Sequence, residues 1–190
     1  GEIFVMPTTL ELPPITIPDL KVTYTAIAGK NVTLTALDSG QYTEIDISTN
    51  GKLLINGDVV LHITGDITLN NSAEIQVPDG ASLTVYFDQD IEAKNASVFN
   101  NVSESPAALK LYGTGTDQVI DLKNSSDFYG AVYAPEAEVT IHNKVDVYGA
   151  MVVGQFEMKN SGDLYYDKAL KNVTPDDEAI YFTVTRWEEL

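Results

Sequence analysis

Leu122-Lys123-Asn124-Ser125-Ser126-Asp127-Phe128-Tyr129-Gly130-Ala131 lines up with Ile141-His142-Asn143-Lys144-Val145-Asp146-Val147-Tyr148-Gly149-Ala150, and again with Met158-Lys159-Asn160-Ser161-Gly162-Asp163-Leu164-Tyr165. The offsets between the asparagines are 19 residues (124 to 143) and 17 (143 to 160). Weaker copies precede them at Leu69-Asn70-Asn71-Ser72-Ala73-Glu74-Ile75 and Ala93-Lys94-Asn95-Ala96-Ser97-Val98-Phe99. Their offsets, 24 and 29 residues, are read as loop insertions, notably around Asn100 to Ala108. A repeat of this length is one turn of a parallel β-solenoid. A short strand cannot bury a face alone, but strands stacked in parallel about 4.8 Å apart bury their inward side chains in apolar columns.

Outward from that stretch, residues 42–167 are a succession of short alternating apolar runs, such as Val59/Leu61/Ile63 and Leu83/Val85/Phe87. Turn residues, including Asn50-Gly51, Asn56-Gly57 and Asp79-Gly80, separate them. Before the C-terminal end, no segment sustains a helical period. The spacing predicts an all-β fold, a right-handed single-stranded parallel β-helix of about six coils over residues 39–167. Residues 1–38, rich in Pro and Thr, are expected to form an extended arm and N-terminal cap, and residues 168–190 a C-terminal cap, because solenoid ends expose unpaired strand edges. Leu69, Leu122, Ile141 and Met158 should share one inward column. Asn71, Asn95, Asn124, Asn143 and Asn160 should share a corner, where side-chain amides can bond the coils above and below as a ladder.

The chain has 28 acidic and 11 basic residues and a formal charge of −17; ten of the basic residues are lysines and Arg186 is the only arginine. Phosphate-rich partners need clustered positive charge, so nucleic acid is not expected as a partner and anionic membrane surfaces are poor ones. No apolar run reaches the roughly 20 residues of a spanning helix, and insertion of this segment into a membrane is not expected. Without cysteine there is no disulfide framework, thiolate nucleophile or cysteine-based metal site. The start at Gly1 shows no signal peptide, a segment expected to have been trimmed.

Candidate chemistry falls on the repeats. Asp127, Asp146 and Asp163 hold equivalent places, so their carboxylates can lie about 5 Å apart, and a cation such as Ca²⁺ would relieve their repulsion. The preferred reading has each Asp capping its own turn, so Ca²⁺ is not expected. Tyr129, Tyr148 and Tyr165 form either a binding stripe for sugars or a protein partner, or, by preference, an inward or groove-lining stack. For catalysis, no lysine is seen to recur beside an acidic pair, and no nucleophile elbow, phosphate loop or HExxH pattern is present. No catalytic residue and no cofactor is assigned. Of the two histidines, His62 and His142 are expected on different coils. Six Asn-x-Ser/Thr sequons, at Asn31, Asn70, Asn95, Asn101, Asn124 and Asn172, are read as corners first and glycan acceptors second.

Phe128-Tyr129-Gly130-Ala131-Val132-Tyr133-Ala134-Pro135-Glu136-Ala137, then Val147-Tyr148-Gly149-Ala150-Met151-Val152-Val153-Gly154, then Leu164-Tyr165-Tyr166-Asp167-Lys168-Ala169-Leu170 and a closing Trp187-Glu188, carry a resemblance. Over residues 31–190 the chain resembles an uncharacterised β-solenoid domain of exported bacterial and archaeal proteins, met alongside PilX-type pilus-assembly proteins. It departs from that pattern at Tyr165, where the family commonly has His. The resemblance implies a non-enzymatic module, extracellular or on the cell surface, structural or adhesive, with other surface or pilus proteins or glycans as partners. Two further readings stay open: a scaffold that stacks end to end, like the bactofilins, and a carbohydrate-binding or carbohydrate-active β-helix.

Overall fold

The structure, a computed structural model, describes residues 12–123, 126–168 and 170. It is all-β, a parallel β-solenoid of about seven turns. Its strands are β1 (Ala26–Thr35), β2 (Gly40–Tyr42), β3 (Glu44–Asn56), β4 (Asp58–Ile63), β5 (Ile67–Leu69), β6 (Glu74–Val77), β7 (Ser82–Phe87), β8 (Ile91–Ala93), β9 (Val98–Asn101), β10 (Leu109–Gly113), β11 (Val119–Leu122), β12 (Phe128–Ile141), β13 (Val147–Met158) and β14 (Leu164–Tyr166). Every pairing between these strands is parallel.

Each turn of the chain contributes to three stacks. The first runs through β3, β5, β8, β11 and the C-terminal parts of β12 and β13. The second runs through the later part of β3, then β6 and β9, and on the same side of later coils the start of β12 pairs with the start of β13, which pairs with β14. The third joins β2, β4, β7, β10 and the middle of β12. The count exceeds the six coils expected because β1, read from sequence as part of the arm, already stacks on β3, with Ile27 opposite Ile45 and Leu34 opposite Ile55.

The repeat is realised as registered apolar columns. Ile47, Leu69, Ala93, Leu122, Ile141 and Met158 lie one above another, as do Ile45, Ile67, Ile91, Ile120, Val139 and Phe156. The members from Ile47 to Ile141 are at most 1% exposed. Burying a side chain of this kind is worth about 1.5–3 kcal/mol, which is what holds coils that have few contacts outside their neighbours. The long 29-residue turn carries its extra chain between β9 and β10, where Pro106–Ala108 form a 3-10 turn. Buried Asn101 anchors that insertion: its Nδ2 donates to the carbonyls of Ser105 (2.6 Å) and Tyr129 (3.1 Å), and its Oδ1 accepts from Ser103 (2.8 Å).

At the N-terminal end, residues 22–24 continue the third stack. Thr23 bridges Gln41, the Gln41 and Tyr24 amides donate to Val22 and Gln41 carbonyls (2.8 and 2.7 Å), and the Tyr24 ring stacks on Tyr42 at 4.6 Å. Of the proline-rich stretch, the described Leu12, Ile15 and Ile17 pack on the side of the solenoid. Residues 1–11 and 171–190, including Arg186, Trp187-Glu188 and most of the expected C-terminal cap, lie outside the described residues. No helix among the described residues is long and apolar enough to cross a membrane.

Candidate functional site

The last three coils bring together the two columns anticipated from sequence. Asp127, Asp146 and Asp163 immediately precede positions 128, 147 and 164, which are in register. The Asp146 amide donates to Asp127 Oδ1 and the Asp163 amide to Asp146 Oδ1, each at 2.9 Å. The Asp127 and Asp146 carboxylates thus each accept from the following coil, whereas the Asp163 carboxylate accepts from the Tyr165 hydroxyl at 3.4 Å. Among the described residues no group of three or more His, Cys, Asp or Glu side chains is placed to hold a metal ion. The same device recurs at the opposite corner, where the Val119 amide donates to Asp90 Oδ1 at 2.8 Å.

This arrangement separates the bond from the charge. Asp146→Ala removes the acceptor and is expected to cost about 1 kcal/mol, below the usual figure for a charged hydrogen bond because the pair is exposed. Asp146→Asn keeps an oxygen acceptor and removes a like charge from the column, so it should melt at or above the native temperature at low ionic strength. Thermal melts in low and high salt compare the two, and an Asn variant as weak as the Ala variant would overturn the assignment.

Two positions along the same face, Tyr129, Tyr148 and Tyr165 form a second column that points outward. Their rings stack at 4.6 and 4.7 Å with interplanar angles of 8° and 10°. They do stack coil upon coil, but on the outside rather than inside the core. A sugar packs on an aromatic face, and here each ring face within the row is covered by the next ring; only the two end rings keep a face free of another member. To a ligand the row offers hydroxyls and ring edges beside a line of carboxylates. Burial against neighbours, then the carboxylates of Glu104 and Asp127 among others, raises the Tyr129 hydroxyl above its ordinary pKa. Burial, then Asp146, does the same for Tyr148, and at Tyr165 the Asp163 carboxylate is the main cause.

The asparagine corner is real in register, with Asn124 outside the described residues. Asn71 and Asn95 tie coils through their backbones: their carbonyls accept from the amides of Asn50 and Ser72, each at 3.0 Å. Side-chain amides cross coils there at Asn70, whose Nδ2 donates to Asp46 Oδ1 at 2.7 Å and to the Ile47 carbonyl at 3.0 Å, and at Asn160, whose Oδ1 accepts from the Asn143 amide at 3.1 Å. Asn50 and Asn143 adopt left-handed backbone at the corner, with φ of 55° and 68°, a conformation Asn tolerates better than most residues. Asn160, on the last described coil, occupies the same place as Asn143, because the Lys159 amide bonds the Ile141 carbonyl.

Sequence reasoning missed two features. Lys94, Lys123, His142 and Lys159 stand in one column, each amide bonding the preceding coil's strand end. Each lysine stands beside a single acid of its own coil rather than an acidic pair: Lys94 Nζ is 3.6 Å from Glu92, Lys123 Nζ 2.5 Å from Asp121, and Lys159 Nζ 3.8 Å from Glu157, while His142 Nε2 reaches Asp121 of the coil before at 2.7 Å. The signal was present, since a basic residue precedes the corner Asn in four of the aligned copies. His62 is on another face, with Nε2 2.9 Å from Asp88 Oδ1. The second missed feature is a row of Tyr86, Tyr112 and Tyr133 on the third stack, in register through β7, β10 and β12.

Burial marks two tyrosines, Tyr112 in this row and Tyr42 in the core. It pushes the Tyr112 hydroxyl up to about 12, with Tyr86 adding to the shift, and pushes Tyr42 up to about 12, with Tyr24 and Asp38 adding. A folded pKa above the unfolded value of about 10 means the native state keeps a proton that the unfolded chain has lost. The resulting stabilisation is complete below pH 10 and is lost as pH rises toward 12. Alkaline titration of the phenolate band should show these two rings ionising last, together with falling stability over that window; ionisation of all tyrosines near pH 10 in the folded protein would contradict it.

Residues 18–173, more than four-fifths of the chain, match a family model described as a domain of unknown function, DUF7305. No curated protein and no solved structure matches the chain. The matched span contains all fourteen strands, both tyrosine rows and the aspartate column, and the chain belongs to the DUF7305 family.

Proposed function

We propose that this chain is a non-catalytic β-solenoid module, displayed at the cell surface or secreted, with a structural or adhesive role in the setting of pili or the envelope. The observation that carries the reading is how its outer polar side chains are used. The aspartates bond the next coil's amides, and lysines and His142 pair with acids on the same face. The aspartate bonds and the His142–Asp121 pair are rungs between coils that stiffen a rod, while the lysine pairs lie within one coil and offset its charge; an active site instead gathers unlike groups around one reacting atom. The exported setting rests on the resemblance carried by residues 128–137 and 147–154. The high negative charge suits a module that must stay dispersed. Other surface or pilus proteins, or glycans met through the Asp127/Tyr129 face, are the partners this reading names.

Antibody labelling of intact cells, with assay of the medium, tests the placement, and the protein should be found in one of the two. Confinement to the cytosol would refute it. Release of reducing sugar from acidic polysaccharides by the purified protein would refute the non-catalytic part. A second reading, end-to-end assembly of the bactofilin kind, has one observation in its favour: Phe156, Leu164 and Tyr166 hold core-facing register positions of the last described coil yet are 36%, 45% and 56% exposed. Filaments growing with concentration in electron micrographs would favour it.

A further inference from the structure

Tyr86, Tyr112 and Tyr133 point away from the core, yet are only 5–8% exposed, because Leu12, Ile15 and Ile17 lie over them with Val60 and Val152 at the edges. Tyr86 and Tyr112 stack at 5.1 Å, and the Tyr133 hydroxyl donates to the Pro13 carbonyl at 2.6 Å. The covering segment crosses the strands: Pro13 sits at β12, whereas Thr23 bridges β2, several coils away. A segment running across strands cannot join their ladder, so side chains and the Tyr133 bond hold it. Pro13, Pro14 and Pro18 suit this path, since proline has no amide proton to leave unsatisfied. A groove walled by aromatic rings is the chemistry that takes extended, proline-containing segments.

We propose that this tyrosine row is a docking groove for an extended proline-containing strap, and that a second copy of the chain supplies it. Residues 12–17 of each copy then lie on the other's tyrosine row. The groove already fits this sequence, as its own strap shows. Releasing the strap breaks no strand ladder, and residues 18–21, which lead to the Thr23 bridge, form no strand that would resist redirection. With one strap and one groove per copy, the reciprocal pair is the smallest assembly that fills every groove. Two bodies of charge −17 repel, so the exchange should strengthen as salt screens them.

The test uses the full chain and a strap variant, Ile15→Asp with Ile17→Asp. A labelled peptide of residues 12–19 should bind the strap variant about tenfold or more tightly than the native chain, because the tethered strap competes at an effective concentration on the order of millimolar. Tyr133→Phe, added to the strap variant, keeps the ring, removes the bond to Pro13 and should weaken peptide binding severalfold. By light scattering the native chain should form dimers that increase with concentration and salt, while the strap variant stays monomeric. Equal peptide affinity for both proteins overturns the groove. A native chain that stays monomeric, or a strap variant that dimerises as the native chain does, overturns the exchange.

Discussion

Gly149→Ala is expected to cost about 3–5 kcal/mol, combining a strained backbone with overpacking, and to lower the melting temperature by roughly 10 °C for a chain of this size. Gly149 has φ +147°, a region that L side chains rarely enter, and a Cβ built there would lie 1.9 Å from the Gly130 carbonyl oxygen of the coil before. Backbone cannot yield as a flexible side chain would, so the strands must part. The position is in register with Gly130 and Tyr166, immediately beside the Tyr148 ring. In a solenoid each coil leans only on its neighbours, so the damage should show first as loss of the last coils and of the Tyr148–Tyr165 stack in the near-ultraviolet spectrum. A variant within about 1 kcal/mol of the native chain would show that the close approach does not exist.

Phe128→Ala should be about as damaging, at about 3–5 kcal/mol, the usual range for emptying a large aromatic site in a core. Phe128 is fully buried and meets Phe99 edge to face, with centroids 6.4 Å apart and planes at 71°. The pair lies where the long turn with its Pro106–Ala108 insertion returns to the stack, a place with no regular ladder between β9 and β12 to share the load. Phe156→Ala serves as the control. It occupies an inward register position too, but is 36% exposed, so it should cost no more than about 1 kcal/mol. Denaturant unfolding of the three proteins decides it, and equal losses from the two substitutions would mean that the inside and outside of the last coils have been misjudged.

Much of this fold can be read from particular letters. Leu122, Ile141 and Met158 do share one column, and the 29-residue spacing is a turn lengthened by the insertion at Pro106–Ala108. The assignment worked because one short repeat specifies an inward residue, a corner and an outward residue at once. The N-terminal boundary was less legible: β1 follows its neighbour with a register shift between Gly29 and Asn31, so its place as a coil on β3 is visible only in the pairing. The aspartate and tyrosine columns were recognised as columns, whereas the direction of the tyrosines was not, since an aromatic residue fits either face of a strand. The Tyr86–Tyr112–Tyr133 row was missed because it falls in the irregular coils, where the repeat is stretched.

The sequence by itself determined that the chain winds and stacks, because strand alternation and coil period are local properties written into every copy. The tertiary structure alone decided what lies over the outer faces. Tyr133 and Pro13, 120 residues apart, meet because the chain doubles back along the outside of its own rod. No local pattern encodes that contact, since its free energy comes from apolar surface that exists only once the coils have assembled.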